Sequence, residues 1–190
     1  MSDSQVSGLG VERTWYAHQA PKATLHPVLQ DCQTTDVCIV GGGLAGLFLA
    51  RSLADRGIPS ILIEARRIGA GASGRNGGFC SPGWAAAHAA IEKKLGHASA
   101  RVLFELSQEG CSMVRDALQA VDADLTWGKL QVSTFDVADA LQRTRDHLAR
   151  GYGYDLEYLD TEAVRQRLAS RRYYQGLRDP RAFHCDPLQL

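Results

Sequence analysis

The chain contains 190 residues, of which 45% are hydrophobic and 22% are charged, and its 21 Lys and Arg residues balance its 21 Asp and Glu residues. This composition excludes a collagen, a disordered charged tail and a small disulfide scaffold, and the zero net charge argues against a general nucleic-acid binder. A chain of this length can bury about 70% of its unfolded surface, which is enough for a hydrophobic core. Glycine is enriched, at 19 residues, and the positions of these glycines are the most informative feature of the sequence.

The cysteines and the N-terminus indicate the compartment. Five cysteines, an odd number with no C-x-x-C pair or zinc-like spacing, predict reduced thiols in an intracellular protein. They are Cys32, Cys38, Cys80, Cys111 and Cys185. The N-terminus lacks the basic and apolar regions of a signal peptide. The longest apolar stretch without charge, 37–50, has 14 residues, fewer than the about 17 that a membrane-spanning helix needs. We therefore predict a cytoplasmic protein that does not enter a membrane.

The first half of the chain predicts an arm followed by a βαβ unit. Residues 1–34 are polar and show neither a helical nor a strand period, which indicates an arm. The apolar run at 37–40 stops at three glycines and predicts a parallel strand that is buried on both faces. Helical spacing begins at Leu44, and Gly57 predicts a left-handed helix end. A second buried strand is predicted at 60–63, which completes the unit.

The rest of the chain alternates helical and strand patterns after a glycine-rich loop at 66–83. The predicted helices are 84–95, 98–121, 136–150 and one that opens at Asp160, and the predicted strands are 125–135, 156–159 and 173–177. Asp186 and Pro187 are typical of an N-cap and a first helical residue, and the sequence stops four residues after Asp186. We therefore expect the chain to be part of a longer protein, with uncovered strand edges and apolar faces that reduce its solubility.

A G-x-G-x-x-G motif lies between the first predicted strand and helix, at 41–46. In a βαβ unit Gly41 would permit the tight turn, Gly43 would let a diphosphate approach the backbone, and Gly46 would let the helix pack closely on the strand. The helix N-terminus adds unpaired N–H groups and partial positive charge. Glu64, at the end of the second strand, suits ribose hydroxyls and disfavours NADP. The alternative interpretation of the motif is a glycine-rich helix start that binds no ligand, and that of Glu64 is a solvated carboxylate at the end of a strand.

A second glycine-rich motif, G-A-G-A-S-G-R-N-G-G, covers 69–78. Its small residues would let the main chain lie flat against a planar ligand, while Ser73, Arg75 and Asn76 offer hydrogen bonds. A plain dehydrogenase does not need such a loop. A disordered glycine loop without a ligand is the alternative interpretation.

The two motifs together resemble a known family. The segments D-V-C-I-V-G-G-G at 36–43, E-A-R-R-I-G at 64–69 and G-A-S-G-R-N-G-G at 71–78 are similar to the N-terminal part of FAD-dependent oxidoreductases of the D-amino-acid oxidase superfamily, and most of all to its γ-glutamylputrescine oxidase-like branch. The W-Y-A at 15–17 and the segment 179–187 also resemble that branch. The resemblance implies an incomplete α/β fold, a Rossmann-like FAD/NAD(P)-binding domain with the beginning of a mixed-sheet substrate domain.

The resemblance also implies a cofactor, a reaction and a set of binding residues. The cofactor is FAD, and the substrate is a small amine or amino acid whose C–N bond is oxidised by hydride transfer to the flavin. Oxygen is the expected acceptor, with release of hydrogen peroxide. The FAD-binding residues that the resemblance implies are Gly41, Gly43, Gly46, Glu64, Ser73, Arg75, Asn76 and Gly77. The predicted site also includes their neighbours Leu44, Ala45, Ala65, Arg66 and Arg67, and solvated loop residues are the alternative interpretation of the two arginines.

The resemblance implies a domain plan as well. The FAD-binding domain covers 35–190, with its βαβ core at 35–65 and its flavin loop at 66–83. The first part of the substrate domain is inserted at about 98–180. Family members are about twice as long and contribute the rest of the substrate sheet from their second half, so we assign no catalytic residue and expect the chain to be inactive by itself.

Other polar clusters favour ordinary structural roles. Asp122 and Asp124 are typical of solvated turn residues, and the arginines at 165–172 of a solvated helix face rather than an RNA contact. No metal site is predicted, because the histidines lack ligand spacing; they are His18, His26, His88, His97, His147 and His184. Two alternatives to the oxidase remain: an NAD-dependent dehydrogenase, and a truncated, non-catalytic protein that binds a nucleotide or a partner subunit.

Overall fold

The structure is a computed structural model that describes residues 14–19 and 26–190. The chain divides into two compact units, a first unit that runs to Gly77 and includes Asp186–Leu190, and a second unit formed by Gly78–Cys185. The arm predicted at 1–34 lies partly outside the described residues. Its described part contains a short helix, α1 (Trp15–Gln19), that the sequence did not predict.

The first unit contains the predicted βαβ arrangement. Strand β1 (Val37–Val40) and strand β2 (Ser60–Ile63) pair in parallel and are joined by helix α2 (Leu44–Ala54). Gly57, at φ 67°, ends the helix region in the left-handed conformation, as predicted. The predicted burial of both strands on both faces is wrong: in β1 only Ile39 is buried, and Val40 is 81% exposed. In the described part of the chain, this sheet has two strands, which are joined by one helix, α2. Much of the apolar surface of the strands is therefore not covered by another layer.

The second unit packs helices against an antiparallel sheet. Its helices are α3 (His88–Leu95), α4 (His97–Gln119), α5 (Ala138–Tyr152) and α6 (Thr161–Leu168). Its strands are β3 (Phe79–Cys80), β4 (Thr126–Val132), β5 (Glu157–Leu159) and β6 (Gly176–His184). β6 pairs with all three other strands. The core consists of aromatic and aliphatic residues of α4, α5 and the following turn, namely Ala100, Phe104, Leu148, Tyr152 and Tyr154.

The last strand is displaced from its predicted position. The sequence predicts a strand at 173–177, whereas β6 runs from Gly176 to His184. Pro180 and the charged residues around it break the strand pattern, and pairing with three neighbours overrides that local signal. The Asp179 carboxylate stabilises this segment, since it accepts hydrogen bonds from the Arg181 backbone N–H (3.0 Å) and the Tyr154 hydroxyl (2.7 Å).

The helix predicted at 186–187 is a turn. Asp186 Oδ1 accepts a hydrogen bond from the Leu188 backbone N–H at 2.8 Å, and the Asp186 carbonyl accepts one from Gln189 at 3.1 Å. The aspartate therefore caps its own backbone, as an N-cap residue does. The described residues up to Leu190 make turns rather than a helix.

Candidate nucleotide-binding site

The glycine motif forms a tight turn between β1 and α2. Gly41 has φ 105°, a conformation that side chains other than hydrogen disfavour, and its N–H donates to the Ile63 carbonyl at 2.8 Å. A Cβ added at Gly46 would lie 2.1 Å from the Gly41 carbonyl oxygen. Gly41 and Gly46 therefore have the conformational and packing roles that the sequence predicts.

The two middle glycines are packed against other parts of the first unit. A Cβ at Gly42 would lie 2.4 Å from Ile68 Cδ1, and one at Gly43 would lie 3.0 Å from Ser73 Oγ. Sequence reasoning did not single out Gly42 or Ile68; the run of three consecutive glycines is the signal that could have identified Gly42. A side chain at Gly42 would overlap Ile68, and one at Gly43 would crowd the Ser73 hydroxyl, so both positions require glycine for packing within the first unit.

The first turn of α2 offers hydrogen-bond donors to an anion. Gly43 is the N-cap residue and has no side chain to cap the helix. The Leu44 N–H donates to Ser73 Oγ at 2.9 Å. Within the described residues, the N–H groups of Ala45 and Gly46 have no protein acceptor. Unpaired amides and the positive end of the helix dipole favour a phosphate group at this position.

Glu64 joins the end of β2 to the glycine turn. Its Oε2 accepts from the Gly42 N–H at 2.7 Å, and its Oε1 accepts from the Arg66 N–H at 2.9 Å. The hydrogen bond from Gly42, followed by that from Arg66, lowers the pKa of the Glu64 carboxyl below its ordinary value of 4.5. Glu64 is therefore ionised at neutral pH, and each oxygen keeps a lone pair for a ribose hydroxyl.

The second motif folds onto the first one. The Gly69 N–H donates to the Gly42 carbonyl at 2.9 Å, and a short 3₁₀ helix, Ala72–Gly74, places the Ser73 hydroxyl at the start of α2. Asn76 Nδ2 donates to the Ser73 carbonyl at 2.7 Å and Arg75 Nε to the Gly71 carbonyl at 3.2 Å, so both side chains brace their own loop.

The predicted binding residues therefore fall into two groups. The structure brings together the turn, the helix start and two side chains, that is Gly41, Gly43, Leu44, Ala45, Gly46, Glu64 and Ser73. The others lie at the exposed rim or within the second motif, namely Ala65, Arg66, Arg67, Arg75, Asn76 and Gly77. Gly77 accepts a hydrogen bond from the Tyr16 hydroxyl at 3.3 Å, a contact that no sequence pattern predicted.

The donor set of this site fits a dinucleotide such as FAD. Backbone amides at a helix N-terminus suit the negatively charged diphosphate, and an ionised carboxylate 22 residues after Gly42 suits the ribose hydroxyls. The side-chain-free surface at Gly41 and Gly43 would let the diphosphate approach the main chain.

No described helix is long and apolar enough to cross a membrane.

The second unit contains a histidine cluster that the sequence did not predict. Glu92 bonds His97 Nδ1 at 2.5 Å and His147 Nε2 at 3.0 Å, which links α3, α4 and α5. The hydrogen bond with His97 is the main cause that lowers the pKa of Glu92. Burial, with the nearby Glu92 carboxylate, raises the pKa of Tyr152 to about 12. Among the described residues, no group of three potential ligands is arranged to hold a metal ion.

Comparison with known proteins identifies the family. The chain is 37% identical over 180 residues to gamma-glutamylputrescine oxidoreductase of Escherichia coli (strain K12), and 33% identical over 181 residues to the probable oxidoreductase OrdL of Rhizobium meliloti (strain 1021). Each alignment covers 93% of this chain and 42% of the relative, so the chain spans less than half the length of these relatives.

The structural comparison agrees with this assignment at the level of the fold. The crystal structure of glycine oxidase from Bacillus cereus ATCC 14579 superposes with a TM-score of 0.56 at 20% identity, over 82% of this chain and 41% of that one. The family model described as FAD dependent oxidoreductase (DAO) matches residues 36–190. The chain therefore belongs to the DAO family of FAD-dependent oxidoreductases, whose cofactor is FAD.

Proposed function

We propose that this chain supplies the FAD-binding part of a cytoplasmic enzyme that oxidises the C–N bond of a small amine or amino acid, with oxygen as the electron acceptor and hydrogen peroxide as a product. The observation that carries the proposal is the joined pair of glycine motifs, in which Ser73 meets the start of α2 and Glu64 meets Gly42. The 37% identity to a gamma-glutamylputrescine oxidoreductase favours a γ-glutamylated amine as substrate.

Bound FAD would supply the hydride acceptor for oxidation of the substrate C–N bond and the two electrons that reduce oxygen to hydrogen peroxide. In our proposal the amides at Gly43, Ala45 and Gly46 hold its diphosphate, and Glu64 holds the adenosine ribose. Ser73 has a hydroxyl that accepts from Leu44 and can still donate, so it extends the row of donors toward the diphosphate.

The remaining predicted residues would line the approach to the flavin. We assign Arg66 and Arg67 to contacts with the adenine or the diphosphate of FAD. Ala65 lies between these exposed arginines and Glu64, whose carboxylate we assign to the ribose. Arg75, Asn76 and Gly77 would support the loop along the flavin.

We also propose that 35–190 forms the FAD-binding domain, with the βαβ core at 35–65, the flavin loop at 66–83 and the first part of the substrate domain inserted at about 98–180. The mixed arrangement of helices and antiparallel strands after Gly78 supports this plan, because it differs from the parallel pairing of β1 and β2.

The first experiment measures cofactor binding by the purified protein. After incubation with FAD or with NAD⁺ and removal of the free nucleotide, the visible spectrum and chromatography of the species released on denaturation should show retained FAD and no retained NAD⁺. Retention of NAD⁺ alone, or of neither nucleotide by a folded protein, would contradict the proposed site.

The second experiment tests the reaction separately. The FAD-loaded protein, together with any remaining part of its natural polypeptide, is supplied with γ-glutamylputrescine, putrescine, glycine and proline in air, and hydrogen peroxide is measured. We expect peroxide release to be highest with the γ-glutamylated amine. Flavin reduction by the amine without peroxide release would retain the amine substrate and overturn oxygen as the acceptor.

A further inference from the structure

The described part of the N-terminal arm contacts the second glycine motif through a tyrosine to which the proposed function assigns no role. The Tyr16 hydroxyl donates a hydrogen bond to the Gly77 carbonyl at 3.3 Å, across 61 positions of the sequence. Both residues belong to the first unit. Tyr16 is half-buried, whereas its neighbour Trp15 is 69% exposed. Helix α1 therefore turns Tyr16, and not Trp15, toward the rest of the first unit.

A capping residue fixes the short helix that carries Tyr16. The Thr14 hydroxyl oxygen accepts a hydrogen bond from the Ala17 N–H at 3.2 Å, and the Thr14 carbonyl accepts one from the His18 N–H at 3.0 Å. A side chain that accepts from the third N–H of a helix is an N-cap. Tyr16 lies between the cap and Ala17, in the first turn of α1, so its hydroxyl reaches Gly77 from an ordered backbone.

Gly77 lies beyond the hydrogen bonds by which the second motif braces itself. The last of these bonds runs from Asn76 Nδ2 to the Ser73 carbonyl, at 2.7 Å. Gly77 is exposed, and among the described residues the bond from Tyr16 is the hydrogen bond that holds its backbone. Glycine loses more conformational freedom on ordering than any other residue, so a single bond has a large effect on the order of this position.

We propose that Tyr16 is a positioning residue for the flavin, because its hydroxyl holds Gly77, and with it the end of the second motif, in the conformation that receives the flavin ring system. The proposal rests on the proposed function, which places this motif along the flavin. Ser73 meets the first turn of α2, where the diphosphate is assigned, and Gly77 lies four residues farther along the motif. Tyr16 therefore acts on the flavin part of the cofactor and not on the adenosine part, which is assigned to Glu64.

This assignment distinguishes FAD from ADP, which contains the adenosine and the diphosphate but no flavin. Without the Tyr16 hydroxyl, the end of the motif must be ordered when FAD binds, and this ordering reduces the affinity. The loss of one neutral hydrogen bond corresponds to an affinity about twofold to tenfold lower. ADP should bind equally well with or without the hydroxyl. A tyrosine that only stabilised the fold would change both affinities or neither.

The experiment compares three forms of the protein, each with any remaining part of its natural polypeptide, namely the unsubstituted form, Tyr16→Phe and Tyr158→Phe. Tyr158, on β5, is the matched control, since it is half-buried and, within the described part of the chain, its hydroxyl has no hydrogen-bond partner. Arg145 lies 6.0 Å from the Tyr158 ring, a contact that phenylalanine keeps. Titrations with FAD and with ADP should show weaker FAD binding in Tyr16→Phe alone, and equal ADP binding in all three.

Hydrogen exchange gives a readout that does not need the cofactor. In the FAD-free protein, the amides at 76–78 should exchange about twofold to tenfold faster in Tyr16→Phe than in the other two forms. The midpoint of thermal unfolding should stay nearly unchanged, because water can replace the hydroxyl at the exposed Gly77 carbonyl.

The outcomes separate this proposal from the proposed function. If the unsubstituted protein binds FAD and Tyr16→Phe binds it equally well, or loses FAD and ADP affinity in parallel, the positioning role of Tyr16 is overturned while the cofactor site stands. Unchanged exchange at 76–78 in Tyr16→Phe overturns it as well. If the folded, unsubstituted protein does not bind FAD, the proposed function fails and the role of Tyr16 fails with it.

Discussion

Replacement of Gly46 by alanine tests the close approach on which the nucleotide site depends. The new Cβ would lie 2.1 Å from the Gly41 carbonyl oxygen and 3.4 Å from Ile39 Cγ2. The oxygen cannot simply rotate away, because the turn is held by the hydrogen bond from the Gly41 N–H to the Ile63 carbonyl at 2.8 Å. Either α2 moves away from β1 by about 1 Å or the turn opens, and such overpacking costs about 1–3 kcal/mol.

Helix propensity favours alanine over glycine and therefore opposes the destabilisation expected for Gly46→Ala. A second glycine-to-alanine change in a helix, without close packing, serves as the control. An alanine is favoured over glycine inside a helix by about 1 kcal/mol. Gly110, on an exposed stretch of α4, has nothing within 4 Å of an added Cβ, so Gly110→Ala shows this gain alone. We expect Gly46→Ala to lower the free energy of unfolding by up to about 2 kcal/mol after both effects, and Gly110→Ala to raise it.

The assay combines thermal unfolding with hydrogen exchange of the α2 amides and an FAD titration. A loss of about 1 kcal/mol corresponds to about 4–8 °C in the midpoint for a small domain. Gly46→Ala should unfold earlier, exchange faster in α2 and bind FAD more weakly, whereas Gly110→Ala should change none of these for the worse. If both variants behave alike and retain FAD equally, the reasoning from the 2.1 Å approach is refuted.

Three further substitutions or conditions follow from single contacts. Glu64→Gln removes the negative charge of the carboxylate that accepts the Gly42 N–H, so the affinity for FAD should fall several-fold in a titration. Glu64→Asp keeps the charge and should retain part of the affinity. Equal affinity of all three proteins for FAD would show that the charge is unimportant. The pKa of Glu92 is lowered in the folded state, so its stabilising effect is complete above its ordinary 4.5 and is lost as pH falls through the lower, folded value. Acid unfolding should therefore be less steep in Glu92→Gln, and an unchanged profile would contradict a role for the His97 contact. Asp160→Ala removes the N-cap of α6 and should cost about 1 kcal/mol in denaturant unfolding, whereas Asp160→Asn should cost little; equal losses would point to charge rather than capping.

The backbone geometry of the candidate site was predictable to a large extent because its signals are local. A strand, a glycine turn and a helix occupy neighbouring positions, and the positive φ of Gly41 and the tight packing at Gly46 leave only glycine suitable there. The contact of Ser73 with Leu44 was not predictable, because it joins residues 29 positions apart through the fold of the second motif. The same holds for Glu64, whose bond to Gly42 gives the carboxylate a structural role beside its proposed binding role.

Periodicity and turn residues by themselves determined the βαβ unit and most helix positions, since hydrophobic spacing and glycine conformations act within a few residues. The resemblance to the family rests instead on the sequence motifs at 36–43, 64–69 and 71–78. Only the tertiary structure decided which faces are covered, where β6 lies and which side chains meet. Val40 is 81% exposed because the described sheet has two strands, although its sequence resembles a buried strand. Glu92 and His147 come together because separate helices pack on each other, and no pattern within one element carries that information.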